Sequence, residues 1–317
     1  MLNKVMYNNK GRAGYGLRAP KLKPMQAVAV VLFVILLISL PFFVIARLNN
    51  RSNNEKREIL YAWNAGYFRQ VFEMSRDVLE QRPLDYFFLT INGFSAYQLA
   101  ISQINHHSTL VYIDKSIRSL RKALLLRESS RDGRVFYVLG KAYTYKGEKF
   151  ADLAIKYLEK ARALSFDASD LNEYLGLAYV AIGDHQNSVE AFTRALNSQS
   201  RPSDALLLSI ARSYIALNEF DKAKTYLLHC IDISPDAKLV STARLLLAKI
   251  FMETGEFYIA EDLFARILNE TGANAEAHFM LGEIYNIRGD IVRARSEWRL
   301  AHRANPAHAG ARARLDI

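Results

Sequence analysis

The histidines and the single cysteine are the residues of this sequence best suited to metal or nucleophilic chemistry. None of the seven histidines forms an H-E-x-x-H motif or another recognisable ligand pair. His106 and His107 are adjacent and could bind a metal, although exposed loop histidines are the more ordinary interpretation. Cys230 stands alone, which excludes an intramolecular disulfide and any multi-cysteine metal site. The sequence therefore predicts no metal and no cofactor.

Three short motifs match catalytic or modification signatures only in part. Gly140 and Lys141 lie in "GKAY", which lacks the glycine spacing and the Ser or Thr of a phosphate-binding loop. Ser119 begins an S-x-x-K match without its companion motifs. Asn269 opens an N-x-T sequon, which matters only in a eukaryotic secretory pathway. We therefore predict that the protein is not an enzyme.

Five segments repeat one pattern of small, aromatic and turn residues at intervals of 34 to 37 residues. The first small residues are Gly140, Gly176, Ala211, Ala248 and Gly282, the aromatic residues are Tyr143, Tyr179, Tyr214, Phe251 and Tyr285, the turn residues are Gly147, Gly183, Asn218, Gly255 and Gly289, and the second small residues are Ala154, Ser188, Ala223, Ala260 and Ala294. Glycine inside a helix costs about 1 kcal/mol relative to alanine, so its recurrence needs a packing reason. The pattern predicts antiparallel helix pairs that approach closely at the small residues, with aromatic residues between them.

These segments resemble the tetratricopeptide repeat, a helix-turn-helix family. The best match to the family's positions is Leu281, Gly282, Tyr285, Gly289, Ala294, Trp298, Ala301 and Pro306. The resemblance implies an all-α fold, an α-solenoid of about seven repeats over residues 55–317. Within it we predict degenerate repeats at 55–130, clear repeats at 134–306 and a C-terminal cap at 307–317. Residues 103–111 are interpreted as a loop insertion in the second repeat.

An apolar segment near the N-terminus has the length of a membrane span. Residues 25–46 are 22 residues without a charge, and about 20 suffice to cross a bilayer as a helix. A cleaved signal peptide is the alternative, but its apolar region is normally shorter and ends at a small-residue site that is missing here. We predict a basic cytoplasmic tail at 1–24, a transmembrane helix at 25–47 and a linker at 48–54.

The charges around this segment predict its orientation. Six basic residues and no acid precede it, against four basic residues and two glutamates after it up to residue 60. The positive-inside rule then favours a cytoplasmic N-terminus. The expected localisation is the cytoplasmic (inner) membrane, single-pass, with the repeat domain extracytoplasmic or periplasmic.

Most of the net charge of +10 belongs to the N-terminal region. Residues 1–60 hold ten Lys or Arg and two Glu, so the repeat region is nearly neutral. Total charge therefore gives no support for nucleic-acid binding.

The resemblance also implies where a partner binds. In this family the position after the first small residue points into the concave groove, and here it holds Lys141, Leu177, Arg212, Lys249 and Glu283. Arg134 lies about two turns before Lys141 on the same helix face. Leu208, Leu245 and Phe279 are candidate apolar contacts. The family's Lys and Asn clamp for a C-terminal carboxylate is absent, so the groove suits an acidic or amphipathic segment. An ordinary solvated face is the alternative.

These observations predict a non-enzymatic, membrane-anchored scaffold or adaptor. Its expected role is to hold or assemble a cell-envelope complex that serves secretion, envelope maintenance, division or the flagellar motor. The alternative is a cytosol-facing membrane receptor for client proteins or chaperones.

Overall fold

The computed structural model describes residues 51–126, 132–199 and 201–317. It divides into two units, Met1–Asn64 and Ala65–Ile317. The first unit contributes one described helix, α1, at residues 51–64. The second unit contains α2 Phe68–Gln81, α3 Tyr86–Ile101, α4 His106–Ala123, α5 Gly133–Tyr145, α6 Ala151–Ala163, α7 Leu171–Ala181, α8 His185–Ser198, α9 Asp204–Ala216, α10 Phe220–Ile233, α11 Ala237–Glu253, α12 Phe257–Thr271, α13 Ala275–Ile287, α14 Ile291–Ala304 and α15 Ala309–Leu315. No strand occurs in these ranges, and the prediction of an all-α solenoid is confirmed.

Six helical hairpins form the body of the second unit. Each pairs a first helix (α3, α5, α7, α9, α11 or α13) with the second helix that follows it in the chain, and each second helix also packs on the next first helix. Every helix therefore contacts its sequence neighbours, which is the arrangement of a solenoid. The core runs along the unit between the helices instead of forming one central cluster.

The turn inside five of the six hairpins contains a residue with positive φ. Gly183 has a φ of 76°, and Asn218 takes the same place in its repeat with a φ of 59°. Glycine reaches this region without a steric penalty, and asparagine is one of the few other residues that tolerate it. Asp184 then caps α8 by accepting a hydrogen bond from the backbone nitrogen of Asn187 at 3.1 Å. The Gly-Asp pair thus ends one helix and begins the next.

In two repeats the recurrent aromatic residue forms a hydrogen bond to the preceding hairpin. Tyr179 on α7 donates a hydrogen bond to Glu159 on α6 at 2.9 Å, and Tyr285 on α13 does the same to Glu261 on α12. Burial and the Glu159 carboxylate raise the pKa of Tyr179 to about 12. The hydroxyl therefore remains a donor at neutral pH.

The predicted loop insertion at residues 103–111 is wrong, because most of it is helix. Helix α4 begins at His106, and only residues 102–105 connect it to α3. Asn105 caps α4, since its side-chain oxygen accepts a hydrogen bond from the backbone nitrogen of His107 at 2.8 Å. The extra residues lengthen α4 to 18 residues. A 3-10 turn, Glu148–Phe150, precedes α6.

No helix in the described ranges combines the length and the apolar composition of a membrane span. This finding corrects the predicted localisation. The longest, α4, carries Lys115, Arg118, Arg121 and Lys122. The prediction of a single-pass inner-membrane protein with an extracytoplasmic domain is therefore wrong for the part of the chain that the structure describes. The segment predicted to span the membrane, residues 25–47, lies outside that part.

Candidate protein-binding groove

The first helices of neighbouring hairpins lie side by side. Helix α5 contacts both α3 and α7, and α11 contacts both α9 and α13, whereas no two second helices contact each other to the same degree. The first helices therefore line one surface of the solenoid. We call the exposed surface of α5, α7, α9, α11 and α13 the groove face.

The small residues of the repeat determine which side chains reach the groove face. A Cβ atom on Gly176 would overlap the ring of Phe192 on α8, and one on Gly282 would overlap the ring of Trp298 on α14. Each glycine thus points at the second helix of its own hairpin. Because successive residues of an α-helix are about 100° apart, the residue after the glycine is turned away from that contact.

Lys141 is held in the floor of the groove face instead of being offered to a partner. Its ammonium group lies 2.7 Å from an Asp170 carboxylate oxygen and 3.0 Å from the Tyr137 hydroxyl. It also lies 4.5 Å from the ring centroid of Tyr174 and 5.6 Å from that of Tyr97. The side chain is only 12% exposed. We call these five residues the lysine–tyrosine cluster.

The lysine–tyrosine cluster joins three successive first helices. Tyr97 belongs to α3, Tyr137 and Lys141 to α5, and Tyr174 to α7, with Asp170 directly before α7. Burial raises the pKa of Tyr97, and the neighbouring Tyr174 raises it further. Burial and the Asp170 carboxylate likewise raise the pKa of Tyr137. The rings remain neutral, so Lys141 and Asp170 are the only opposite charges in the cluster.

Two further groove positions form ion pairs with the next first helix or the cap. Lys249 on α11 lies 2.6 Å from a Glu276 oxygen on α13, and the other oxygen of Glu276 is 2.9 Å from His308 Nε2. Burial alone would raise the pKa of Glu276, but the hydrogen bonds from Lys249 and His308 lower it below its ordinary value. Glu283 forms a two-bond pair with Arg314 on α15, at 2.9 and 2.5 Å.

The remaining predicted cations differ in availability. Arg134 is exposed, but its guanidinium is bound to the Asp132 carboxylate through two hydrogen bonds of 3.0 Å. Arg212 on α9 is exposed, and no carboxylate in the described residues pairs with it. Arg212 is therefore the predicted groove cation most available to a partner.

Packing within the fold covers much of the surface of the three predicted apolar contacts. Leu208 is buried, 8% exposed, in the core around α9 and α10. Leu245 is half-buried against the core of the next repeat. Phe279 lies under the C-terminal helix, with its ring 4.9 Å from that of His308 and its edge against Gly310. Leu245 and Phe279 are each only partly buried.

An open cavity lies between α5 and α7 on the groove face. It has a volume of about 360 Å³ and is lined by Thr144, Tyr145, Glu173, Tyr174 and Leu177. Leu177 is 45% exposed and Tyr145 is 39% exposed, so both side chains present apolar surface to solvent. Burial raises the pKa of Glu173, although a hydrogen bond from Gln199 opposes the shift. Apolar and aromatic surface dominates the opening.

The residues considered for catalysis or metal binding are buried in the core, hydrogen-bonded within the fold or exposed at a helix end. Cys230 is buried, and burial raises the pKa of its thiol to about 11. Ser119 donates a hydrogen bond to the buried side chain of Asn92 at 2.8 Å. His106 and His107 lie exposed in the first turn of α4. Across residues 51–126, 132–199 and 201–317 no group of three His, Cys, Asp or Glu side chains could hold a metal ion.

Sequence reasoning missed two features of the groove face. Tyr145 and Tyr174 line the cavity, but the sequence offered no signal beyond two more aromatics in a chain with 17 tyrosines. The partners of Lys141 and Lys249 were also missed. Asp170 and Glu276 lie 29 and 27 residues further along, just before or within the next first helix, so the repeat interval could have suggested both pairs.

These hairpins, with small residues at each close approach and aromatics between repeats, match a known family. Residues 151–311, just over half of the chain, match the family model for the tetratricopeptide repeat protein 21 C-terminal ARM domain. The chain belongs to the tetratricopeptide-repeat family. The family model covers α6 to α14 and the start of α15.

Solved structures and a curated protein agree with this fold. The C-terminal part of a tetratricopeptide-repeat protein from Cytophaga hutchinsonii superposes with a TM-score of 0.60 at 14% identity, over 83% of this chain and 100% of that one. YrrB, a tetratricopeptide-repeat protein, superposes with a TM-score of 0.50 at 17% identity, over 63% of this chain and 100% of that one. The anaphase-promoting complex subunit CDC16 of Saccharomyces cerevisiae is 29% identical over 153 residues, 46% of this chain. Those residues amount to 18% of CDC16.

Proposed function

We propose that this protein is a non-catalytic scaffold that binds a segment of another protein on the groove face. The observation that carries the proposal is the open cavity between α5 and α7, with the exposed Leu177 and Tyr145 at its mouth. Exposed large apolar side chains around a concavity are typical of a binding groove. Tetratricopeptide-repeat folds generally act as interaction scaffolds, which supports the same function.

The occupant that fits this surface is an amphipathic segment. Its apolar side chains would contact Leu177 and the rings of Tyr145 and Tyr174, and an acidic side chain would reach Arg212, the exposed cation one repeat further along. Because Lys141 and Lys249 already hold carboxylates of this chain, the segment needs fewer acids than a fully basic groove would favour. The membrane-anchored setting predicted from the sequence is not part of the proposal.

The names and descriptions of two similar proteins support a function in binding other proteins. CDC16 is a subunit of a multi-protein complex, and YrrB is described as having an unusual peptide-binding site. Those statements concern those proteins. For the present chain they agree with a function in protein assembly.

A photo-crosslinking experiment tests the proposal. A photoreactive amino acid at Leu177 in the full chain, expressed in its native cells, should capture a discrete protein. The matched control places the same amino acid at Leu228, another exposed leucine (56%), on the second helix α10. The Arg212→Glu substitution should weaken the product at position 177. Equal capture at both positions, or capture at 228 alone, would refute a groove-bound partner.

A further inference from the structure

Helix α4 carries a concentration of unpaired positive charge on the side of the solenoid formed by the second helices. It contains four basic residues, Lys115, Arg118, Arg121 and Lys122, and one acid, Asp114. Asp114 is already paired with Lys146 at 2.6 Å. Arg118, Arg121 and Lys122 are exposed, and no carboxylate in the described ranges pairs with them. We call Arg118, Arg121 and Lys122 the α4 basic ridge.

Several basic residues on other second helices are paired with acids nearby. Arg194 on α8 pairs with Glu190, and Arg266 on α12 pairs with Asp262. Lys224 on α10 pairs with Glu256, directly before α12. Among the residues that the structure describes, no acid pairs with the α4 basic ridge in this way. Charges of one sign along a helix face raise the local potential and attract an opposite charge.

Two cavities flank the α4 basic ridge. The larger, about 590 Å³, faces α6 and includes Ile117, Leu124, Leu125 and Tyr157 in its lining. The smaller, about 280 Å³, faces α2 and includes Phe72 and Leu79. Arg118 and Lys122 line both. The surface therefore combines a cationic ridge with apolar floors on both sides.

Leu125 makes the apolar part of this surface accessible. It directly follows the C-terminal turn of α4 and is 80% exposed. An exposed leucine beside a cavity lined by Tyr157 and Ile117 provides a place for an apolar side chain. A ligand recognised only through phosphates would leave this apolar surface unused.

We infer that the α4 basic ridge and its larger cavity form a second docking surface, which takes an acidic protein segment with at least one large apolar side chain. Carboxylates of the segment would pair with Arg118, Arg121 and Lys122, and the apolar side chain would lie against Leu125 and Tyr157. Because α4 is a second helix, this surface is separate from the groove face. The protein would then hold two partner segments at once.

Fluorescence anisotropy on the full chain tests this inference with a defined probe. The probe is a labelled peptide of repeated Glu-Glu-Leu units, and its comparators are a Glu-Glu-Ser peptide and an oligothymidylate of similar length. At low salt, the Glu-Glu-Leu peptide should bind most tightly. The variant R118E/R121E/K122E should weaken it by at least roughly tenfold, since each attraction becomes a repulsion.

The matched control is R201E/K238E/R303E, which changes the net charge equally at three exposed basic residues elsewhere. It should alter the Kd by less than about twofold. Leu125→Ser should weaken the Glu-Glu-Leu peptide but not the Glu-Glu-Ser peptide. Equal losses in the two triple variants would overturn the inference, because net charge alone would then explain binding. Tighter binding of the oligothymidylate would overturn it in favour of a general polyanion site.

Discussion

At the scale of single residues, charge on the groove face is mostly used within the fold. Lys141 and Lys249 occupy equivalent positions in different repeats, and each pairs with an acid next to or within the following first helix. Such pairs fix the spacing of neighbouring repeats. At the same repeat position, Leu177 is exposed, and Arg212 is exposed and pairs with no acid in the described residues, so both remain open to another molecule.

Replacing Lys141 should destabilise the protein more than replacing Arg212. Lys141→Met leaves Asp170 beside Tyr137 without its cation, so we expect a loss of about 1–3 kcal/mol in the free energy of unfolding. Arg212→Met should change it by less than about 0.5 kcal/mol, because the side chain is exposed and unpaired. Urea denaturation measures both. Equal losses of stability in the two variants would contradict the conclusion that Lys141 is paired within the fold and Arg212 is free.

Glu276 should make stability depend on pH. Because its pKa is lowered in the folded state by Lys249 and His308, despite the opposing effect of burial, its ion pairs stabilise the protein above the unfolded-state pKa of about 4.3. That contribution disappears as the pH falls through the lower folded-state pKa. Glu276→Gln should therefore cost about 0.5–1 kcal/mol at pH 7 and less near pH 3.

Urea denaturation of wild type and variant at both pH values checks this expectation. The control is Glu190→Gln, which removes an exposed pair within α8 and should cost less than about 0.5 kcal/mol at either pH. A cost of Glu276→Gln that stays constant down to pH 3 would show that its charge does not matter.

At the scale of helices, α4 differs most from the repeat pattern. In a standard repeat the second helix begins closer to its buried residues. Here residues 106–111 add to the N-terminal end of α4 instead of forming a loop. Tyr112 and Ile113 continue the apolar side of this extension, with Ile113 fully buried. The register of the buried residues explains why the segment is helical.

Proline substitutions distinguish helix from loop in this segment. Val111→Pro should abolish hydrogen-exchange protection over residues 106–114, because proline in a helix interior removes a hydrogen bond and clashes with the preceding turn. His106→Pro, at the first helical position, should leave protection unchanged because proline is tolerated there. Exchange followed by mass spectrometry reports both. Unchanged protection in Val111→Pro would restore the loop interpretation.

At the scale of the whole molecule, the repeat architecture was predictable because the same residue types recur at regular intervals in the sequence. The contacts of Gly176 with Phe192 and of Gly282 with Trp298 recur at one register, and each predicted turn residue has positive φ. The groove was less predictable. Whether a lysine is free depends on an acid in the next repeat, and single-repeat reasoning does not consider that residue.

The same limit explains the errors about apolar groove contacts. Phe279 occupies a groove position of the last repeat, but the C-terminal helix α15 covers it through His308 and Gly310. Leu208 lies one helical turn before Arg212, but neighbouring side chains of the α9–α10 core bury it. Position within a repeat therefore predicts the face of a helix, whereas exposure depends on the neighbouring elements.

We propose that the groove face between α5 and α9 binds a partner segment through Leu177. The most direct measurement is the affinity of the full chain for the segment identified by crosslinking at position 177, with Leu177→Asp compared to Leu228→Asp. Burial of one leucine contributes about 1.5–3 kcal/mol, so Leu177→Asp should weaken binding by roughly tenfold or more. Leu228→Asp should leave the Kd within about twofold of wild type. Unchanged affinity in Leu177→Asp, or an equal loss in Leu228→Asp, would contradict the account.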